Sequence, residues 1–188
     1  MKLDNNRNIM LNMIMKKPDI GKTAVMKYTF FLQKAFGLKL GYPFGIYTYG
    51  PYSSDVSEDL DSLMSHNLIG LAEYPYGNSS GYKIRALAKR EDIQKYAKLT
   101  ADEEQKIDKV IELFGDRTAR DLELISTILY FVDLRERIGN EHSEEFNIIE
   151  NVKAIKPHFD DSEIEDELES LKELNRKSLF KCYFTALS

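Results

Sequence analysis

The sequence predicts a mainly α protein of the α+β class, in which helices carry most of the chain and one small antiparallel sheet lies in the N-terminal half. Three observations predict it. Apolar residues recur at helical spacing in segments along the whole chain. Residues 69–74 and 82–87 instead alternate apolar with polar side chains around the turn-forming run Gly77-Asn78-Ser79-Ser80-Gly81. Beyond residue 100 the period is helical throughout. The order helix, helix, strand, helix, hairpin over residues 1–90 is that of a winged helix-turn-helix, so a winged-helix-like part is expected there. Residues 91–188 form a helical part packed against it in one compact unit.

The first helix is expected over residues 6–16, where Ile9, Met10, Met13 and Ile14 share a face and Pro18 closes the segment. In the second, from about Lys22 to Phe36, Ala24, Val25, Tyr28, Phe31, Leu32 and Ala35 form a stripe. Met26, Phe30 and Phe36 widen it, which marks this helix as the centre of the core, and Gly37 is a plausible stop. A short tyrosine-rich strand follows, Phe44-Gly45-Ile46-Tyr47-Thr48-Tyr49-Gly50-Pro51-Tyr52-Ser53. Ser53 or Ser54 then caps a helix to about His66 with Val56, Leu60, Leu63 and Met64 inward.

In the second half, Thr100 and Glu103 have capping-box spacing ahead of Ile107, Val110, Ile111 and Phe114. Thr118 can cap a helix carrying Leu122, Ile125, Ile128, Leu129 and Val132. Ser143 opens another, which must stop before Lys156-Pro157 because the residue before proline resists the α region. Ser162-Glu163-Ile164-Glu165 reads as a further capping box, ahead of Leu168, Leu171 and Leu174. That acidic helix either packs on the core or offers a seam to a partner helix. Residues 179–184 fit strand or helix equally.

Composition excludes several classes. At 188 residues with 43% hydrophobic and 30% charged side chains, the chain can bury a real core and reads as an ordinary globular protein. No apolar run reaches the length of a membrane span, and the N-terminus shows no secretory core, so no membrane association is expected. A single cysteine, Cys182, fits a reducing compartment, and a cytoplasmic location is expected. Its apolar neighbours Phe180, Tyr183 and Phe184 make it a buried, inert thiol. Charge is split: residues 1–100 carry 14 Lys/Arg against 9 Asp/Glu, and residues 101–188 carry 12 against 22. Surfaces for different partners and ordinary solvated helix faces both explain such a split.

Enzyme signatures are missing. There is no Gly-rich phosphate loop, nucleophile elbow, His-Glu-x-x-His or Cys-x-x-Cys. His66, His142 and His158 share no spacing, and the acidic run after His158 sits where a helix N-terminus wants it and lacks a calcium-loop glycine. No metal and no cofactor are expected. A pocket lined by Tyr47, Tyr49 and His66 is the one enzymatic reading, with only polar-aromatic composition behind it.

For the tyrosine-rich strand two readings compete. As a recognition surface, its tyrosines offer apolar area and a hydroxyl with few rotors to fix. As structure, alternate tyrosines Tyr47 and Tyr49 fill the core while Gly50-Pro51 sets a tight turn or close approach. Packing is favoured for Tyr47 and Tyr49, and neither reading for Tyr52. The helix after it would be the DNA reader of a winged helix. It carries Asp55, Glu58, Asp59 and Asp61 with no Lys or Arg from Ser53 to His66, which opposes phosphate contact even if these acids only complement the helix dipole. Lys83, Arg85, Lys89 and Arg90 near the hairpin are candidate phosphate contacts, with a solvated strand face as the alternative.

Tyr28-Thr29-Phe30-Phe31-Leu32-Gln33, the run Tyr47 to Ser53 and Asp59-Leu60-Asp61-Ser62-Leu63 resemble the YwgA-type bacterial and archaeal proteins. More distantly, the layout is similar to the Panacea (SocA-like) antitoxin domain, where a Gly-Pro after a strand also precedes a helix. Asp121-Leu122-Glu123 and Lys156-Pro157-x-Phe159 fit the same pattern. The resemblance implies a winged-helix-like fold and, for the Panacea group, an antitoxin or adaptor role through protein contacts. It implies no catalytic residues. The expected function is therefore a non-enzymatic regulatory or interaction protein with a protein partner or a second copy of itself, contacted by Tyr47, Tyr49, Pro51, Tyr52 and Ser53. The alternative is a DNA-binding transcriptional regulator that uses the basic N-terminal half and the wing.

Overall fold

The computed structural model describes residues 3–76, 79–87, 98–138, 146–177, 179–180 and 187. It is mainly α with a small antiparallel sheet. Helix α1 (Asn5–Lys16) leads into β1 (Ile20–Gly21) and α2 (Lys22–Lys34). Strands β2 (Gly45–Tyr47) and β3 (Gly50–Tyr52) pair with each other, α3 (Ser54–Ser65) follows, and β4 (Ile69–Tyr76) and β5 (Ser79–Ala86) form a long hairpin. The second half holds α4 (Ala101–Phe114), α5 (Ala119–Ile138), α6 (Ile148–Ile155) and α7 (Asp161–Arg176). In the main sheet β1 lies beside β5, giving the order β1-β5-β4 with Ile20 opposite Ile84 and Leu71 opposite Ile84 across the hairpin.

Helix α2 is the hub, as its wide apolar stripe predicts. Every residue from Val25 to Leu32 is buried, and α1, α3, α4, α5 and both sheets touch it. Phe31 meets the Phe114 ring at 4.5 Å, and the Tyr28 hydroxyl donates to the Phe114 carbonyl at 3.0 Å, so the N-terminal half is joined to α4 by ring packing and a buried hydrogen bond. Full burial of each such aromatic ring contributes roughly 1.5–3 kcal/mol. Gly37 takes φ 66°, and the Leu38 N–H reaches back to the Leu32 carbonyl as the chain leaves α2.

Helix α5 is buried on most sides, with Leu122, Leu124, Ile125, Ile128, Leu129, Phe131 and Val132 in the core. Ser126 and Thr127 sit in the same buried stretch, and both hydroxyls donate to the Glu123 carbonyl, at 3.1 and 2.7 Å. That local bond satisfies them without a tertiary partner.

The expected caps hold in α4 and α5. Thr100 and Glu103 form a reciprocal box, and the Thr118 and Asp121 side chains accept each other's backbone N–H at 3.2 and 2.9 Å. Three corrections stand beside them. The box of α7 lies two residues earlier than the Ser162 reading: Asp160 is the N-cap, and Glu163 accepts its N–H at 2.8 Å. Ser53 occupies the N-cap position of α3, but its hydroxyl is buried and makes no capping bond. The tyrosine-rich segment is two three-residue strands rather than one strand, because Thr48 and Tyr49 turn the chain and Gly50 adopts φ 86°. Ser143, expected to open α6, falls outside the described residues, as does Cys182; the described helix is capped by Asn147, whose side chain accepts from the Ile149 and Glu150 N–H groups. It stops at Ile155, ahead of Lys156-Pro157, as the proline predicts.

Candidate functional site

The β2–β3 hairpin lies across α2 and α5 and is held by its backbone. Gly50 is required there twice over. Its φ of 86° is in the left-handed region, and a Cβ on it would come within 3.0 Å of both the Ser126 and Thr127 hydroxyls and 3.3 Å of Lys27 Nζ. Without that Cβ the hairpin seats directly against α5.

Two buried lysines then satisfy its carbonyls. Lys27, from the middle of α2, is 2% exposed and donates to the Pro51 carbonyl at 2.7 Å. Lys156, just past the end of α6, donates to the Tyr47 carbonyl at 3.4 Å and also to that of Thr48. The same ammonium pairs with Glu123 of α5 at 2.7 Å, while His158 approaches that carboxylate from outside at 3.5 Å. Position 156 is fixed by the α6 stop: the Lys156 N–H closes on the Val152 carbonyl, and Phe159 turns inward under Arg120, whose guanidinium lies 4.3 Å from its ring centre. Burial pulls Lys27 down from the ordinary lysine range to about 7, and the neighbouring Lys156 charge adds to this while Glu123 opposes it.

Bracing the hairpin from below pushes its tyrosines outward. Tyr47 is 63% and Tyr49 68% exposed, and Tyr52 is 37% exposed with its ring edge-on to Tyr47 at 5.2 Å. This corrects the packing reading for Tyr47 and Tyr49: strands of three residues are too short to bury alternate side chains, and the hairpin tip faces solvent. Pro51 and Ser53 are buried, so of the five expected contact residues the three tyrosines make the surface. Between them and the first turns of α2 opens a cleft of about 400 Å³ lined by Lys22, Thr23, Met26 and Lys27 on one side and the tyrosines and Ser57 on the other. His66 does not join it. Its ring nitrogen lies 2.8 Å from the Ser62 carbonyl at the far end of α3, which removes the Tyr47–Tyr49–His66 pocket.

Several basic residues of the N-terminal half are engaged by acids of the second half. Lys16 meets Glu104 and Asp108 of α4, Lys17 meets Asp116, and Lys34 meets Asp133 of α5. Of the candidate phosphate contacts, Arg85 is held by Asp19 at 2.7 Å and Lys83 lies 3.6 Å over the Tyr74 ring. Lys89 and Arg90 lie outside the described residues. On α3, Asp59 accepts from the Tyr42 hydroxyl at 2.6 Å and pairs with Arg7, and Asp61 meets Lys22 at 3.6 Å. Among the described residues no group of three or more His, Cys, Asp or Glu is placed to hold a metal ion, and no helix is long and apolar enough to cross a membrane.

Sequence reasoning missed Lys27 and Lys156. A signal for Lys27 was present: it lies inside a run, Val25 to Leu32, so apolar on all sides that a lysine there has no solvent face. Lys156 offered none, because its burial depends on a hairpin more than a hundred residues away. No protein-family model matches the chain, and no curated protein matches its sequence.

Proposed function

We propose that the chain is a non-enzymatic, winged-helix-like regulatory module that acts through protein contacts, an antitoxin-like adaptor with the tyrosine hairpin as its contact surface. One observation carries this reading: Tyr47 and Tyr49 are exposed on a hairpin whose carbonyls are tied from within by two buried ammonium groups. Tyrosines ordered before binding lose little freedom on binding, which is the economy that interface aromatics exploit. The winged-helix label is supported by the order α1-β1-α2-α3-β4-β5, with the β2–β3 hairpin inserted between α2 and α3, and by the placing of β1 outside the β4–β5 hairpin on the β5 side. The non-enzymatic reading rests on the sequence, which carries no phosphate loop, nucleophile elbow or paired metal-ligand motif.

A DNA-binding regulator is the second reading. Lys83 favours it, since with Lys17, Lys22 and Arg117 it lines a cleft of about 720 Å³ beside Tyr74 and Tyr82. The acidic α3 and the internal pairing of Arg85, Lys16 and Lys34 weigh against it. The two part in one experiment. Capture from an extract of the native host is compared for the wild type and the Y47A/Y49A variant, with duplex DNA tested in parallel over a salt series. The expected result is a discrete polypeptide held by the wild type and bound about thirtyfold more weakly by the variant, the loss of a ~2 kcal/mol contact. The variant should melt with the wild type, and DNA should not be retained at low salt. Duplex binding that falls steeply with salt would overturn the protein-contact reading.

A further inference from the structure

The core face of the main sheet outruns the core. Leu71 lies opposite Ile84 and Tyr82 opposite Glu73, so Leu71, Ile84 and Tyr82 share one face of the β4–β5 hairpin. At Ile84 and its neighbour Ile20 that face is buried. At Leu71 and Tyr82 it is 53% and 63% exposed. These two side chains line a groove of about 720 Å³, whose other lining comes from the first turn of α2 and the start of α5, including Ala24, Ala119 and Leu122.

The groove continues the tyrosine cleft. Lys22 and Thr23 line both, so the two hollows meet over the first turn of α2. Nine large hydrophobic side chains are exposed among the described residues, and six of them lie along this joined concavity: Tyr47, Tyr49, Tyr52, Leu71, Tyr74 and Tyr82. Single exposed apolar residues need no partner, whereas their concentration in one connected hollow marks an interaction surface.

Charge says what kind of partner. Lys17, Lys22, Lys83 and Arg117 line the groove with one acid, Asp19, which Arg85 already holds at 2.7 Å. This cationic lining belongs to a chain of net charge −5. Lys17, Lys22 and Arg117 reach acids of their own only at 3.6, 3.6 and 3.4 Å, and each is partly exposed. Such long, wet pairs are readily exchanged for the carboxylates of a partner. The cations also come from separate elements: Lys83 from β5, Lys22 from α2 and Arg117 from the turn between α4 and α5. A matching occupant therefore carries an apolar stripe with acids on both flanks. An amphipathic helix does this, while a strand turns its polar side chains to the opposite face. Duplex DNA would meet the cations but leave Leu71 and Tyr82 in water. A second copy would bring the acids of α7, whose apolar residues Ile164, Leu168 and Leu171 are buried in its own core. We propose that this groove extends the tyrosine surface and seats an acidic amphipathic helix of the protein partner. The proposal rests on the protein-contact reading and adds the partner's chemistry to it.

The test starts with selection from a random peptide library on the immobilised full chain. Enriched peptides should combine Asp or Glu with Phe, Leu or Trp at i, i+3 and i+4 spacing. A labelled peptide of that kind should bind in fluorescence anisotropy and gain helical circular dichroism on binding. Lys22→Glu with Lys83→Glu should weaken it about tenfold or more, and Leu71→Ser with Tyr82→Ser to a similar degree. Wild-type affinity should fall between about 50 and 500 mM salt. No enrichment, or enrichment of basic or purely polar peptides, overturns the partner class, as does duplex DNA that displaces the peptide at equal concentration. Full affinity in the charge-reversed variant overturns the groove. If that variant does not fold, the salt series decides, and an affinity level across it overturns the charge match. Binding lost in Y47A/Y49A with both groove variants unaffected strikes this proposal and leaves the hairpin reading. Binding lost in the groove variants alone strikes the hairpin and leaves the groove.

Discussion

Lys27 and Lys156 are unusual in what they neutralise: two buried ammonium groups, one carboxylate between them, and three main-chain carbonyls. Only Lys156 has the carboxylate at contact distance, and burial, with the Lys156 charge beside it, lowers the Lys27 pKa to about 7 from the lysine value of 10.5. The consequence for stability has a definite sign. Between about pH 7 and pH 10 the unfolded chain keeps the Lys27 proton while the folded chain has lost it, so stability rises with pH, by up to about 1.4 kcal/mol per unit from this group. Tyr28, pushed up to about 12 by burial, and Tyr42, raised by burial and its bond to Asp59, act oppositely. Above about pH 10 their unfolded phenols ionise first, and stability declines. Urea unfolding at half-unit pH steps should therefore place the maximum between pH 9 and 10. Lys27→Met should flatten the rise between pH 7 and 10, whatever it does to absolute stability. A wild-type midpoint that is level or falling from pH 7 to 9 would contradict the burial of a charged Lys27.

At the scale of elements, the hairpin is where sequence and structure diverge most usefully. Gly50-Pro51 was legible as a tight turn or a close approach, because no other residue pair combines a free φ with a missing donor. The structure supplies the object approached, the Ser126 and Thr127 hydroxyls on α5. Gly50→Ala therefore meets two obstacles, a left-handed φ and contacts at 3.0 Å, and should cost about 2 kcal/mol in the urea midpoint. Its effect should show locally as faster amide exchange across Gly45–Tyr52, since α5 itself has no reason to loosen. The starts of α1 to α5 were legible, because each pairs an apolar stripe with a cap or breaker, as Thr100, Thr118 and Gly37 show, whereas Ser143 lies outside the described residues and the α7 box sits two residues earlier than read. Tyr47 and Tyr49 were not legible. Alternation along one strand predicts burial, and only the split into two three-residue strands turns those rings outward. Lys156 was illegible for a related reason: its environment is made by Glu123 and the hairpin, and nothing local to it encodes either.

For the whole molecule, the lopsided charge of the sequence resolves inward. The excess cations of residues 1–100 and the excess acids of residues 101–188 meet as Lys16 with Glu104 and Asp108, Lys17 with Asp116 and Lys34 with Asp133. Exposed pairs contribute little each, about 0–1 kcal/mol. They border an apolar joint that contributes far more, since α2 packs on α4 and α5 through Phe31, Phe114, Tyr28 and their neighbours. The N-terminal half therefore has its central helix covered on one side by the second half. A fragment of residues 1–97 would leave Tyr28, Phe31 and the docking face of the hairpin in water, and would lose Lys156 and Glu123 together. It should keep helical circular dichroism from α1 to α3 but show poor amide dispersion, bind a hydrophobic dye and melt without a cooperative step. Adding residues 98–188 as a separate chain should restore the transition, with a midpoint that depends on concentration because the joint is then intermolecular. A fragment of residues 1–97 that melts in one sharp transition by itself would show that the N-terminal half is self-sufficient. The buried lysines would then belong to an accessory contact rather than to the core.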